Sequence, residues 1–209
     1  MGRRSPVAVK RRPIEILTRE ECHRLLSAFP SRSPAGVRNR ALVVVLWRAQ
    51  LRVGEAIALG VRDLNTRAGS VTVRHGKGDR RRVVGLDPQA VAVVDKWLLE
   101  RARLISAHRL TSARPAPLFC TFSEGHVGFP LKGTYVREML ARAAARAGIE
   151  KRVHPHGLRH TGADELVAEG KPLTVVRRQL GHSSLAVTER YVDHLGWRDV
   201  VDAMQHRVW

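Results

Sequence analysis

The side chains best suited to phosphoryl chemistry fall in five short segments. These are Leu51-Arg-Val-Gly-Glu55, Gly76-Lys-Gly78, His156-Gly-Leu-Arg-His160, Leu180-Gly-His182 and Thr188-Glu-Arg-Tyr191. In chain order they supply Arg52, Lys77, His156, Arg159, His182 and Tyr191. Attack of an oxygen on a phosphodiester builds a second negative charge on a phosphorane-like transition state. Guanidiniums meet that charge with fixed forks of N–H donors that match the non-bridging oxygens. Arg52 and Arg159 are the expected pair, and each such contact can contribute about 3 kcal/mol to the barrier, by analogy with oxyanion-hole donors.

The remaining groups have complementary chemistry. Tyr191 is the expected nucleophile; a phenol with a pKa near 10 needs a proton acceptor and positive surroundings. Lys77 lies between two glycines, where a mobile tip lets an ammonium enter a groove and protonate a departing oxygen. His156 stands three residues before Arg159, on the same helix face, and titrates near neutrality. His182 follows a glycine at a helix end, where its imidazole can donate to a phosphate oxygen. Glu55, one turn after Arg52, is expected to orient that arginine rather than react. His160 is expected to support the helix that carries His156. His154, His156 and His160 are spaced 2 and 4 apart with no cysteine or carboxylate at matching offsets, so no metal is expected there. Tyr135 lies in no such segment and is expected to be packing.

These residues need a scaffold. Thr18-Arg-Glu-Glu21 matches a capping box and opens a helix to about Phe29. Pro30 to Gly36 reads as a loop, Val37 to Leu51 as a mostly buried helix, and Val53 to Leu59 as a short one. Ser70 to His75 alternates in the manner of a strand, Gly76 to Asp79 is turn chemistry, and Arg80 to Leu86 returns as a second strand. Asp87-Pro88 opens a long helix to about His108. Residues 111–117 read as loop, and Pro117 to Phe122 as a short strand. Helices follow over Leu131–Ala147, closed by Gly148, and over His156–Glu169, ended by Gly170. Pro172–Leu180 and Leu185–His194 form a helix-turn-helix pattern, and Trp197–His206 a last amphipathic helix. The fold class expected is mainly α with a small antiparallel β-sheet, an α+β domain.

Composition narrows the partner. The 209 residues carry 37 Lys and Arg against 19 Asp and Glu, a net charge of +18. Self-repulsion of that size destabilises a compact chain unless a polyanion is its partner; nucleic acid is the first candidate, since phosphates reward such charge through counterion release, and an anionic membrane surface the second. Arg74, Arg80, Arg81, Arg82, Arg137, Lys151 and Arg152 are expected phosphate contacts, which position DNA without reading its sequence. The longest apolar run, Ala41 to Trp47, is far below the roughly 20 residues that span a bilayer, so no membrane span is expected; the partner expected is double-stranded DNA, with no membrane. Two cysteines, Cys22 and Cys120, form no disulfide framework, and a cytoplasmic location is expected.

Taken together, the five segments resemble the catalytic domain of the tyrosine recombinase (phage integrase) family over roughly residues 14–200. The nine-residue step from His182 to Tyr191 fits that family. The resemblance implies the integrase catalytic-domain fold and site-specific cleavage and rejoining of DNA through a 3′-phosphotyrosyl intermediate. It assigns Tyr191 as nucleophile, His156 as base and the hairpin Lys77 as acid, with no cofactor. It also implies a homo-tetramer on DNA, monomeric in solution before assembly.

Residues 1–13 are expected to be a basic arm, with 14–209 the catalytic domain. Only 51 residues precede Arg52, so the family's N-terminal clamp domain is expected to be absent, as in a minimal recombinase or a catalytic fragment. Two rival readings remain: a non-catalytic DNA-binding protein, and an enzyme resembling type IB topoisomerases. The complete set of six residues favours an enzyme, because binding alone does not require it. The segment Leu180-Gly-His182 and the small size favour a recombinase over a topoisomerase. The charge itself predicts steep salt dependence. If about six phosphates are contacted, DNA affinity measured by fluorescence anisotropy falls roughly a thousandfold or more between about 50 and 200 mM salt.

Overall fold

The computed structural model describes residues 15–76, 79–107, 117–123 and 126–182. The basic arm, Lys77, Tyr191 and the helices expected over 185–194 and 197–206 lie outside these residues.

Helix α1 (Arg19–Ser27) starts on the expected capping box. Thr18 Oγ1 accepts from the Glu21 N–H, and the Glu21 carboxylate accepts from the Thr18 N–H. Helix α2 (Pro34–Trp47) begins a turn earlier than its apolar pattern suggests. Ser33 Oγ accepts from the Gly36 N–H and Pro34 takes the first helical position, where a missing N–H leaves no bond unmade. The loop expected to reach Gly36 therefore ends at Ser33. At its other end α2 stops at Trp47, short of Leu51, and Gln50 turns the chain with a left-handed φ of +54°.

Helix α2 is the hub. Its residues from Ala41 to Trp47 are all buried, which a helix apolar on every side requires. It packs against α4 (Pro88–Ala107) and α6 (Pro155–Ala168). Arg48, just past its end, pairs with Asp87 before α4 and with Glu165 on α6, while Trp47 Nε1 donates to Glu165 at 3.1 Å. On the far side of α4, the fully buried Trp97 donates to the Leu118 carbonyl at 3.0 Å.

Between short α3 (Val53–Ile57) and α4 lies a three-stranded antiparallel sheet in the order β1 (Leu64–Asn65), β2 (Ser70–Val73), β3 (Arg82–Gly85). Val71 faces Val84 and Val73 faces Arg82. Val71, Val73 and Val84 are buried in the core. The two expected strands are present but shorter. The third, β1, is two residues long and carries no alternation to read. A second hairpin joins β4 (Cys120–Ser123) to β5 (His126–Pro130). The strand expected from Pro117 starts later, and β5 escapes a sequence reading because Gly128, at φ +83°, and Pro130 are poor strand residues.

Helix α5 (Gly133–Arg146) ends before Gly148, which takes φ +61°. Helix α6 starts at Pro155, with His154 Nδ1 accepting from the Gly157 N–H at 3.0 Å. Helix α7 (Leu173–Leu180) ends at Gly181, φ +64°. The architecture is thus mainly α with small antiparallel sheets. Cys22 and Cys120 are buried and unpaired. Among the described residues, no helix is long and apolar enough to cross a membrane.

Contact between α2 and α6 is close enough to exclude a methyl group: a Cβ on Gly162 would lie 2.0 Å from the Trp47 carbonyl oxygen. Alanine in place of glycine usually favours a helix by about 0.5–1 kcal/mol. Here Gly162→Ala is expected to destabilise by about 1–3 kcal/mol through overpacking, read as a lower midpoint in urea unfolding.

Candidate active site

Three helix ends converge at one edge of the small sheet. Arg52 is the residue before α3, and its own N–H donates to Glu55 Oε2 at 2.9 Å. Its Nη1 donates to Glu55 Oε1, also at 2.9 Å, with the side chain one-third exposed. Glu55 is buried among cations. Arg82 on β3 donates to both carboxylate oxygens, at 2.9 and 2.8 Å, and Arg159 Nη1 stands 3.9 Å away. Burial alone would push the Glu55 carboxyl up. Hydrogen bonds from Arg82, then from the Arg52 backbone, outweigh that and hold it at about 2.

Arg159 is the most enclosed of the three guanidiniums, at 2% exposure. Its Nη1 donates to the Gln50 carbonyl and its Nη2 to the Leu180 carbonyl. The second bond places a cation on the C-terminus of α7, where the helix dipole favours positive charge. Nη2 also lies 3.4 Å from His182 Nε2. Gly181 makes this possible: its left-handed backbone ends α7, and the His182 N–H turns back to the Arg177 carbonyl at 3.1 Å.

The histidines of α6 divide their labour. His154 caps the helix, as described above. His156 and His160, one turn apart, share a hydrogen bond between their Nε2 atoms at 2.9 Å, so one nitrogen donates and the other accepts. Burial, then the charge of His156, brings His160 down to about 4. Burial, then Arg159, also lowers His156. Both shifts favour the uncharged ring, and an uncharged imidazole can accept a proton.

The structure therefore brings together Arg52, Glu55, Arg159 and His182, with His156 and His160 on the same α6 turns. Lys77 and Tyr191 lie outside the described residues. Gly76 is within them, so the strand leading to Lys77 borders this cluster: a Cβ on Gly76 would sit 3.0 Å from Arg82 Nη1.

Two of the expected phosphate contacts are also engaged within the protein. Arg82 is not a surface cation; both terminal nitrogens are engaged by Glu55 and the side chain is 13% exposed. Lys151 donates to the Glu21 carboxylate at 2.7 Å and the Ile16 carbonyl at 2.9 Å, tying α5's following loop to the start of the chain. Arg74 is paired with Asp63, although half its side chain is exposed. Arg80, Arg81, Arg137 and Arg152 are exposed. Tyr135 is part-buried, as expected, with its hydroxyl bound to Arg38. It lines an apolar groove with Leu104, Phe122, Phe129 and Leu131 that holds none of the residues named for chemistry.

Two glutamines went unread. Gln50 gives Arg159 its carbonyl, and its Nε2 donates to the Gly162 carbonyl at 2.7 Å. Gln179 pairs its amide with the Gly85 N–H and carbonyl, both at 2.9 Å, which fastens α7 to the edge of β3. Neither follows a spacing rule. A polar residue next to an active-site segment is the only signal either carries.

Residues 15–196 match the phage integrase family. Tyrosine recombinase XerC of Halalkalibacterium halodurans is 34% identical over 188 residues, which cover 90% of this chain and 60% of that protein. The crystal structure of XerA recombinase superposes with a TM-score of 0.73 at 27% identity, covering 94% of this chain and 66% of that one. XerH site-specific recombinase, solved bound to palindromic difH substrate as a post-cleavage complex, gives 0.69 at 27% identity, covering 92% and 53%. The chain belongs to the phage integrase family, and its fold is that of tyrosine recombinase catalytic domains. It spans about three-fifths of the length of the XerC relative.

The Glu55 site has a pH signature. A carboxyl lowered from 4.5 to about 2 contributes stability that is complete above its unfolded value and lost as pH falls toward 2. The contribution is at most roughly 3 kcal/mol. Melting temperatures followed from pH 7 to 2 should fall through this window in the native chain, and Glu55→Gln should flatten that limb.

Proposed function

We propose that this chain is the catalytic unit of a site-specific DNA recombinase that cuts and rejoins strands through a phosphotyrosine. The observation that carries the proposal is the convergence of Arg52 and Arg159, from separate segments, on one buried carboxylate, with His182 beside Arg159. Two guanidiniums and an imidazole held at a single edge suit the non-bridging oxygens of one phosphate. The XerH complex with its difH substrate supports DNA as the partner.

The reaction follows from the groups available. The Tyr191 phenol loses its proton to His156 and its oxygen attacks phosphorus. Arg52, Arg159 and His182 hold the oxygens on which charge accumulates. The bond to the 5′ oxygen breaks, and Lys77 supplies that oxygen with a proton. A 3′-phosphotyrosyl bond remains, conserving the phosphodiester energy so that the reverse attack by a 5′-hydroxyl reseals a strand. Arg80, Arg81, Arg137 and Arg152, all exposed, contact the DNA backbone. The working assembly is a homo-tetramer on DNA, in the cytoplasm.

A nicked suicide substrate tests the reading. The native chain, in chelator and without nucleotide, is expected to give a covalent protein–DNA adduct visible by denaturing electrophoresis. Tyr191→Phe is expected to abolish the adduct and retain DNA affinity within about twofold. An adduct with the Phe variant would assign the chemistry to another nucleophile.

A further inference from the structure

Arg82 touches three of the segments that carry the expected catalytic groups. Through Glu55 it reaches α3 and Arg52: its Nη1 and Nη2 donate to the two carboxylate oxygens at 2.9 and 2.8 Å. Its stem lies under the end of α7, so that a Cβ on Gly181 would fall 2.7 Å from Cδ and Nε. Its Nη1 lies beneath Gly76, the residue before Lys77. Its Nε is buried and makes no hydrogen bond among the described residues. With both terminal nitrogens on Glu55 and Nε buried, only 13% of this side chain is open to solvent.

The consequence for Arg52 follows from how Glu55 distributes its oxygens. A carboxylate can take an arginine fork with both oxygens at once. Because Arg82 takes Glu55 in that way, Arg52 makes a single side-chain bond, to Oε1. Its Nε and Nη2 form no hydrogen bond among the described residues, and the side chain stays one-third exposed. Without Arg82, Glu55 would draw in the Arg52 fork and bury a charge only partly compensated.

We propose that Arg82 is a positioning residue for strand cleavage: it occupies Glu55 so that Arg52 stays open to phosphate, and it links Gly76, the residue before Lys77, to the Gly181–His182 turn. This inference rests on the recombinase reading above.

The test compares Arg82→Met, Arg82→Lys and the double variant Arg82→Met with Glu55→Gln, in the full chain. Each is measured for adduct formation on the suicide substrate at saturating DNA, and for DNA affinity across a salt series. Arg82→Met is expected to slow adduct formation at least tenfold with an unchanged salt slope, and Arg82→Lys to fall between it and the native chain. The double variant is expected to recover part of the lost rate, because a neutral amide in place of the Glu55 carboxylate no longer competes for Arg52 with a charge. If Arg82→Met does not fold, the rate and slope are read on Arg82→Lys. A salt slope reduced by about one with an intact saturating rate makes Arg82 a phosphate contact and overturns the proposal. A double variant no faster than Arg82→Met also overturns it. Should the native chain form no adduct, the recombinase reading fails. The salt slope still judges Arg82: an unchanged slope upholds its enclosure by Glu55, and a reduced slope refutes it.

Discussion

One buried carboxylate organises the basic face of this protein. Glu55 is 6% exposed at its side chain and faces Arg52, Arg82 and Arg159. Three guanidiniums this close would repel one another strongly in a medium of low dielectric. A single negative charge between them makes the cluster tolerable, and it does so asymmetrically. Arg82 is bound with both forks, Arg159 is held mainly by backbone carbonyls, and Arg52 is tethered by one nitrogen. The arginine with the fewest side-chain hydrogen bonds is also the most exposed.

Helix ends do the rest of the positioning. A helix terminus leaves backbone groups without intrahelical partners, and the site uses these groups as ligands for its cations. The Leu180 carbonyl at the end of α7 and the Gln50 carbonyl beyond α2 both accept from Arg159. Left-handed residues turn the chain at both places, Gln50 at φ +54° beyond α2 and Gly181 at φ +64° at the end of α7. The Gly181 position admits no side chain because Arg82 lies against it. Gln50 bears the cost of a left-handed backbone in a non-glycine residue and anchors itself on Gly162 of α6, the helix that carries Arg159. Gln179 adds a further tie, from α7 to the open edge of β3. The histidine turn and the two arginines are thereby referred to one frame.

Much of this frame was legible in local patterns. The capping box at Thr18, the proline start of α4 and the glycine stops after α5 and α7 lie where short-range chemistry put them, since caps depend on neighbours three or four residues away. The β2–β3 hairpin showed in its alternation. What escaped lacked such a period. The strand β1 is too short, β5 contains Gly128 and Pro130, and the start of α2 rests on Ser33-Pro34 rather than on apolar spacing. Within the site, residue types and order singled out Arg52, Glu55, His156, Arg159 and His182. Nothing local distinguished Arg82 from Arg80 and Arg81, its neighbours in a run of three identical side chains.

From the amino-acid order alone came the kinds of groups present, the elements that carry them, the excess of positive charge and the family resemblance. The tertiary structure decided which cations face solvent and which are paired within the protein. Arg80 and Arg81 face solvent, while Arg82 turns inward to Glu55 and Lys151 closes on Glu21. The reason is physical. A guanidinium or ammonium has the same chemistry wherever it occurs, but whether it faces solvent or is paired depends on the nearest carboxylate in space. For Arg82 that carboxylate is set by the packing of β3 against α3 and α7, and for Lys151 by the fold of the loop after α5 onto α1.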